Sequence, residues 1–402
     1  MPAAALGRTW PCEPTLCSID VRSTHRRTAS DKKFFEQPLD MEVCGCCRHY
    51  NMANKDDLLL GSVEVAVGEM QRFKMAGGGA MIEPTSLGIG RDPLGLQEIS
   101  RASGVHVVMG AAFYVASVHP PELKDWSVAE ISKMLVDDIV YGATLETKSP
   151  SSGTGTVHTA PNTGVRAGII GEVGCSWPLH KDEARVLQAC AAAQRATGAA
   201  ISVHPGRDEA APMEILRVLE AAGADLGRVV MCHVDRTVFE ASTLEELVAT
   251  GCYLEYDLFG MYQSGYYPHN PAVDLLNDAG RVKQIQWLIE RGAGHQILVS
   301  QDIAGNHRLT KCVGCRLFSP CLGALSNHEA PPCVRWGGHG YHYLLKEIVP
   351  MMRARGMAED EIRALLEGNP QAVLSFKPAA LQTPKANLAA STSSAGRPTP
   401  RM

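Results

Sequence analysis

From about residue 60 the chain alternates amphipathic stretches with short apolar runs. Residues 62–74 place Val63, Val65, Val67, Met70 and Phe73 as the buried positions of a predicted helix. Gly77, Gly78 and Gly79 end it, and residues 80–83 read as a strand. The rhythm then repeats. Helices are predicted over 94–103, 126–142, 181–197, 212–222, 244–250 and 281–291. Strands are predicted over 105–110, 167–172, 200–204, 229–233, 252–257 and 296–302. Two further helices, 341–355 and 359–367, close the pattern.

Strands that alternate with helices argue for a parallel sheet. Seven such runs plus an expected first strand near the N-terminus predict an α/β fold, a closed TIM (β/α)8 barrel. An open doubly wound sheet is the alternative. Its dinucleotide-binding form has no support, because Gly88-Ile89-Gly90 lacks the third glycine of the phosphate-binding turn.

Three segments break the rhythm. Residues 145–164 are rich in Ser, Thr, Gly and Pro and predict a flexible loop. Residues 312–336 differ in composition and read as an insertion. Residues 378–402 are polar with scattered prolines and predict a disordered tail behind a barrel spanning 1–377.

Composition narrows the function. The net charge of −5 excludes a global basic field for nucleic acid. No apolar run has the length of a signal peptide core or a spanning helix, so no membrane is expected and the cytoplasm is the default location. Thirteen cysteines, odd in number and irregular in spacing, read as reduced thiols. Cys312, Cys315, Cys321 and Cys333 with His328 only superficially resemble a zinc loop, and Cys44-Gly45-Cys46-Cys47 is read the same way.

The chemistry lies where polar residues fall on the strands. Four predicted strands end in a metal-ligand residue type: Glu172, His204, His233 and Asp302. In a parallel barrel those ends converge on the face that carries the active site. Two imidazoles and two carboxylates there make an N/O site suited to a divalent transition metal. Such a metal would activate a water, and Asp302 could orient it and take its proton. Taken singly, each residue has a structural reading, and Asp302 could cap a helix.

The segments GGGAMIEPTSLGIGRD, GAAFYV, AGIIGEVGCSWPL, ISVHPGR, VMCHVDRT, GCYLEYDLFG and GGHGYHYLL resemble the phosphotriesterase-related family of the amidohydrolase superfamily, over roughly residues 60–375. The resemblance implies a (β/α)8 fold and a binuclear centre, usually of zinc. It implies Glu172 as the bridging carboxylate, His204 and His233 as ligands on strands five and six, and Asp302 as the strand-eight acid. It points to a small substrate: an amide of the N-acyl taurine kind, with an ester, phosphoester or lactone behind it. A homodimer is left open.

The first strand departs from the family pattern. The expected H-x-H pair falls on Cys12 and Pro14, with Glu13 matching. Cysteine can ligate zinc as thiolate; proline cannot ligate through its side chain. Three readings stay open: a mononuclear enzyme with one metal rather than two, a barrel that only binds or scaffolds, or a shifted reading frame. Tyr114, Asp257, Arg91 and His339 are the candidates for substrate contact. Three of them have a structural alternative: rim packing for Tyr114, a loop cap for Asp257 and an ion pair with Asp92 for Arg91.

Overall fold

The structure is a computed structural model that describes residues 5–19, 28–50, 54–148, 155–157, 163–261, 265–266, 270–310 and 338–376. Eight parallel strands form a TIM barrel: β1 (Thr9–Trp10), β2 (Ala80–Glu83), β3 (His106–Met109), β4 (Ile170–Gly174), β5 (Ile201–His204), β6 (Val229–Met231), β7 (Tyr253–Tyr256) and β8 (Ile297–Val299). Hydrogen bonds run from β1 through β2 to β3, and from β4 through β5, β6 and β7 to β8. A parallel bridge between Gly110 and Ile169 joins the two arcs. There the chains approach so closely that a Cβ on Gly110 would lie 1.9 Å from the carbonyl oxygen of Gly171. The ring closes where Asp302 N donates to Cys12 O (3.2 Å) and Ser300 Oγ to the same carbonyl (2.9 Å).

The lumen is packed, not open. Alternate strand residues Ala80, Ile82, Ala200, Val230, Cys232 and Leu298 form one buried cluster inside the ring. The intervening residues meet the surrounding helices, among them Val63–Met75, Pro93–Ser103, Val128–Val140, Lys181–Thr197, Ala211–Ala221 and Asp278–Glu290. Among the described residues, no helix is long and apolar enough to cross a membrane.

Several boundaries differ from expectation for local reasons. β1 is only two residues long, because Pro11 has no N–H for the ladder. The short strand is nonetheless core: Trp10 is fully buried, packs tilted with its ring 5.1 Å from that of Phe73 and donates to Tyr341 O at 2.8 Å. β4 is shifted toward the C-terminus, so Glu172 lies within the strand rather than at its end. The predicted 145–164 loop carries a short antiparallel pair, Glu146–Lys148 with Gly155–Val157. The predicted helices at 341–355 and 359–367 each contain a π-helical turn, Leu344–Ile348 and Ala364–Gly368. Each of these wide turns precedes a proline, Pro350 and Pro370, whose missing N–H interrupts the α ladder. The predicted insertion 312–336 and tail 378–402 lie outside the described residues.

Candidate metal centre

Glu172 from β4, His204 from the end of β5 and His233 just beyond β6 meet at the C-terminal face of the barrel. Each offers a ligand atom within 4.8 Å of the others, and all three are buried. Glu172 Oε1 lies 2.9 Å from His233 Nε2, and Oε2 lies 3.5 Å from His204 Nδ1. The two imidazoles stand edge to face with centroids 4.6 Å apart. Asp302 joins from the turn after β8, with Oδ2 3.9 Å from His233 Nδ1.

His233 and Asp302 are the non-glycine residues with positive φ among those described, at 56° and 47°. A left-handed residue ends its strand abruptly and is held there only if its surroundings over-determine it. For His233 the constraint is Asp257, which accepts from the backbone N at 2.9 Å and from Nδ1 at 2.8 Å. For Asp302 it is Glu13, which accepts from Ser300 Oγ (2.9 Å), Gln301 N (2.5 Å) and Ile303 N (3.2 Å). Glu13 thus grips both sides of Asp302, a positioning role that its place between Cys12 and Pro14 did not suggest.

The arrangement fits a cation. In the neutral tautomer with Nδ1 donating to Asp257, the one a cation at this site would select, His233 Nε2 presents a lone pair to Glu172 Oε1 and, at 2.8 Å, to His204 Nδ1. Glu172 Oε1 is buried with His233 Nε2 2.9 Å away, and in that tautomer it receives no hydrogen bond from it. Acceptor-capable atoms facing one another in a buried site need a proton or a cation between them. The carboxylate–imidazole pairing of Asp257 with His233 is the usual support for a metal-ligating histidine.

The local electrostatics follow from burial and the neighbouring charges. Burial would raise Glu172, but the two imidazoles outweigh it and hold its carboxyl below the usual carboxylate range. Burial and Arg236 push His233 down, yet Asp257 and Glu172 prevail and raise it well above its ordinary value. Burial pushes His204 the other way, well down, with Arg236 Nη2 only 3.2 Å from its Nε2. Burial also raises Asp302, and lifts Asp257 to about 6.

The cluster forms the floor of a cleft of about 940 Å³, open solvent included. Tyr114 lines it and places its hydroxyl 3.3 Å from His204 Nδ1. Arg207, Arg236 and Arg308 line it as well, and so do Asp57 and His307. His307 Nδ1 lies 2.9 Å from Asp57 Oδ2, a buried imidazole–carboxylate pair that was not anticipated. His307 ends no strand, and its partner is 250 positions away, so no local pattern marks it.

Three expected substrate contacts are placed elsewhere. Asp257 does not line the cleft; it is fully buried behind His233. Arg91 pairs with neither substrate nor Asp92: its guanidinium is 2.7 Å from Asp138, with both side chains fully buried, and donates to Thr144 O. Asp92 instead caps the helix Pro93–Ser103. His339 does not line the cleft either, and packs its ring 4.2 Å from that of Tyr343. At the departing first strand, Pro14 lines the cleft, while Cys12 is buried beneath it, 1% exposed.

Comparison with known proteins places the chain in a family. The model of the Phosphotriesterase family matches residues 31–151 and 154–374, so Cys12 and Pro14 precede the matched region. The chain is 35% identical over 373 residues to an N-acetyltaurine hydrolase of Tetraodon nigroviridis, covering 92% of this chain and 95% of that one. It is equally 35% identical, over 377 residues, to a phosphotriesterase-related protein of Nematostella vectensis, with 92% and 95% covered. A crystal structure of a resiniferatoxin-binding protein from Rhodobacter sphaeroides superposes with a TM-score of 0.77 at 27% identity, covering 93% of this chain and 92% of that chain.

Proposed function

The chain belongs to the phosphotriesterase family of metal-dependent hydrolases, and from that premise we propose that it hydrolyses a small anionic acyl amide of the N-acetyltaurine type. Glu172, His204, His233 and Asp302 hold the metal in this reading, and zinc is the ion that such a nitrogen and oxygen set takes readily. The observation that carries the substrate reading is the group of three arginines in a lining that also holds Asp57, Glu172 and Asp302. Arg207, Arg236 and Arg308 share one cleft with the three-donor cluster. An arginine-lined pocket selects a substrate with a sulfonate or carboxylate end. The relatives named N-acetyltaurine hydrolase support the same class.

A divalent cation in this set supplies Lewis acidity, acidifying a water and polarising an acyl carbonyl. The chain's own residues do the rest. Asp302, raised by burial, accepts the proton of the attacking water. Tyr114 donates across the cleft floor toward the substrate's acyl end. The carbon–nitrogen bond then breaks, and the leaving amine takes a proton from His307, which Asp57 holds in place. The products are a carboxylate and a protonated amine, which balances the added water, and the proton held by Asp302 restores His307 through solvent. The buried free thiols Cys175, Cys190 and Cys252 support a reducing, cytosolic setting.

The test is turnover by the zinc-loaded protein of N-acetyltaurine, an uncharged acetamide of matched size, a lactone and a phosphotriester. The expected outcome is a kcat/KM for the anionic amide at least tenfold above the others, lost in Asp302→Asn with metal retained. Preferential turnover of the lactone or phosphotriester would overturn the substrate reading.

A further inference from the structure

We propose that Cys12 and Cys232, together with Glu172, form a second metal site in which the ion is held by thiolates, one layer below the imidazole pair. This rests on the reading of Glu172, His204 and His233 as the first site, with Glu172 shared between the two.

The donors are already assembled. The sulfurs of Cys12 and Cys232 and a carboxylate oxygen of Glu172 lie within 4.8 Å of one another, and all are buried. Zinc–sulfur bonds of about 2.3 Å set tetrahedral sulfur pairs roughly 3.8 Å apart, so closure around an ion needs movements of about 1 Å or less. The three residues come from three strands: the end of β1, the end of β6 and the middle of β4. Strand alternation explains the depth. Val230 and Cys232, two positions apart, face the buried lumen, and the left-handed backbone at His233 turns the next residue into the cleft above them.

A second observation points to a cation. Glu255 from β7 is fully buried beside these thiols. Its Oε2 accepts from Cys232 Sγ at 3.2 Å, while Oε1 has no hydrogen-bond partner among the described residues. Glu255, Cys12 and Asp257 also bring ligand atoms within 4.8 Å of one another. Neither Glu172 nor Glu255 forms an ion pair with a lysine or arginine among the described residues. Several potential anions in an apolar lumen are costly together unless protons or a cation neutralise them. A divalent ion does so with Glu255 as a fourth donor, and two thiolates favour a soft or borderline metal. Binding displaces one proton from each thiol to solvent.

The geometry also gives Pro14 a reason. Pro14 lines the cleft without a donor side chain. Donors for a second ion are therefore absent from the cleft layer on the β1 side and present one layer deeper, at Cys12.

The experiment is titration of the metal-free full chain with cobalt(II), read by absorption spectroscopy and by metal count. Two equivalents per chain are expected, with a near-ultraviolet thiolate-to-cobalt charge-transfer band. Cys232→Ser and Cys12→Ser should each abolish the band and lower the count to one, with the visible d–d bands of the remaining ion retained. His233→Ala should keep the band. The wild-type spectrum alone decides the matter should the serine variants not fold. One equivalent without the band overturns the thiolate site and leaves the histidine site standing. No bound cobalt overturns both. A wild-type chain in which these two sulfurs are joined as a disulfide after anaerobic purification, shown by mass spectrometry, also overturns the proposal.

Discussion

Asp257 is the most informative residue to replace, because its two roles have opposite signs. It accepts from the backbone N of His233 at 2.9 Å and from Nδ1 at 2.8 Å, fully buried. In Asp257→Asn the side-chain oxygen can still accept from Nδ1. The amide NH2 must then face the His233 backbone N–H, and a donor opposes a donor. Losing the carboxylate's charge weakens the first bond by about 1 kcal/mol, and leaving the second unmade costs about 1–2 kcal/mol more. The imidazole should then be misaimed by about 2–3 kcal/mol, a roughly 30- to 150-fold weaker metal affinity, within reach of the usual effect of such supporting carboxylates.

The metal-free protein should behave otherwise. Asp257 has a folded pKa of about 6, above its ordinary 3.8, because of burial. A raised acid contributes stability that is full below the unfolded pKa and is lost as pH rises through the folded one. At pH 7.5 the wild type has lost on the order of 2–3 kcal/mol at this position, and asparagine loses none. That gain offsets the strained hydrogen bonds, so the metal-free variant should stay within about 1 kcal/mol of wild type at pH 7.5, while its zinc affinity, measured by competition with a chromophoric chelator, falls. A zinc Kd within threefold of wild type in a folded variant would refute the assignment of Asp257 as the orienter of a metal ligand.

Three further outcomes follow from the same geometry. His307→Gln should lower kcat by about 100-fold for a poor amine leaving group and far less for an activated ester, since only the former needs the proton; equal losses on both substrates would remove His307 from the reaction. Arg91→Met leaves Asp138 buried and unpaired and should destabilise the fold by about 3–5 kcal/mol in denaturant titration, with metal content and KM of the surviving protein unchanged. Glu83 is fully buried, and burial lifts it to about 7 from 4.5, so its contribution to stability is full below pH 4.5 and is lost as pH rises through 7. Glu83→Gln should flatten that decline between pH 5 and 8, by up to about 3 kcal/mol, and an unchanged slope would show that Glu83 is not its source.

Much of the barrel was legible because strand and helix periods are local. Each apolar run from residue 80 onward became a strand within a few residues of its expected position, and Glu172, His204, His233 and Asp302 were legible because each ends or occupies its own run. β4 was misplaced by a few residues, because near-continuous apolar composition in a strand buried on both faces carries no register signal. Arg91, Asp257 and His339 looked alike in sequence: polar residues following strands, each with an apparent path to the substrate. Their distinct fates came from partners at Asp138, His233 and Tyr343, and spacing along the chain does not encode such pairings.

The sequence by itself determined the alternation of strands and helices and the polar residue types at the strand ends. Those properties follow from the order of side chains and from backbone periodicity. Only the tertiary structure decided that Cys12 meets Cys232, that Glu13 grips the turn carrying Asp302, and that His307 is held by Asp57 across 250 positions. Each is a contact made by closure of the barrel ring or by a loop folding over its mouth. Closure brings β1 beside β8 and places layers of side chains at one depth, and depth in the lumen has no counterpart in a linear sequence.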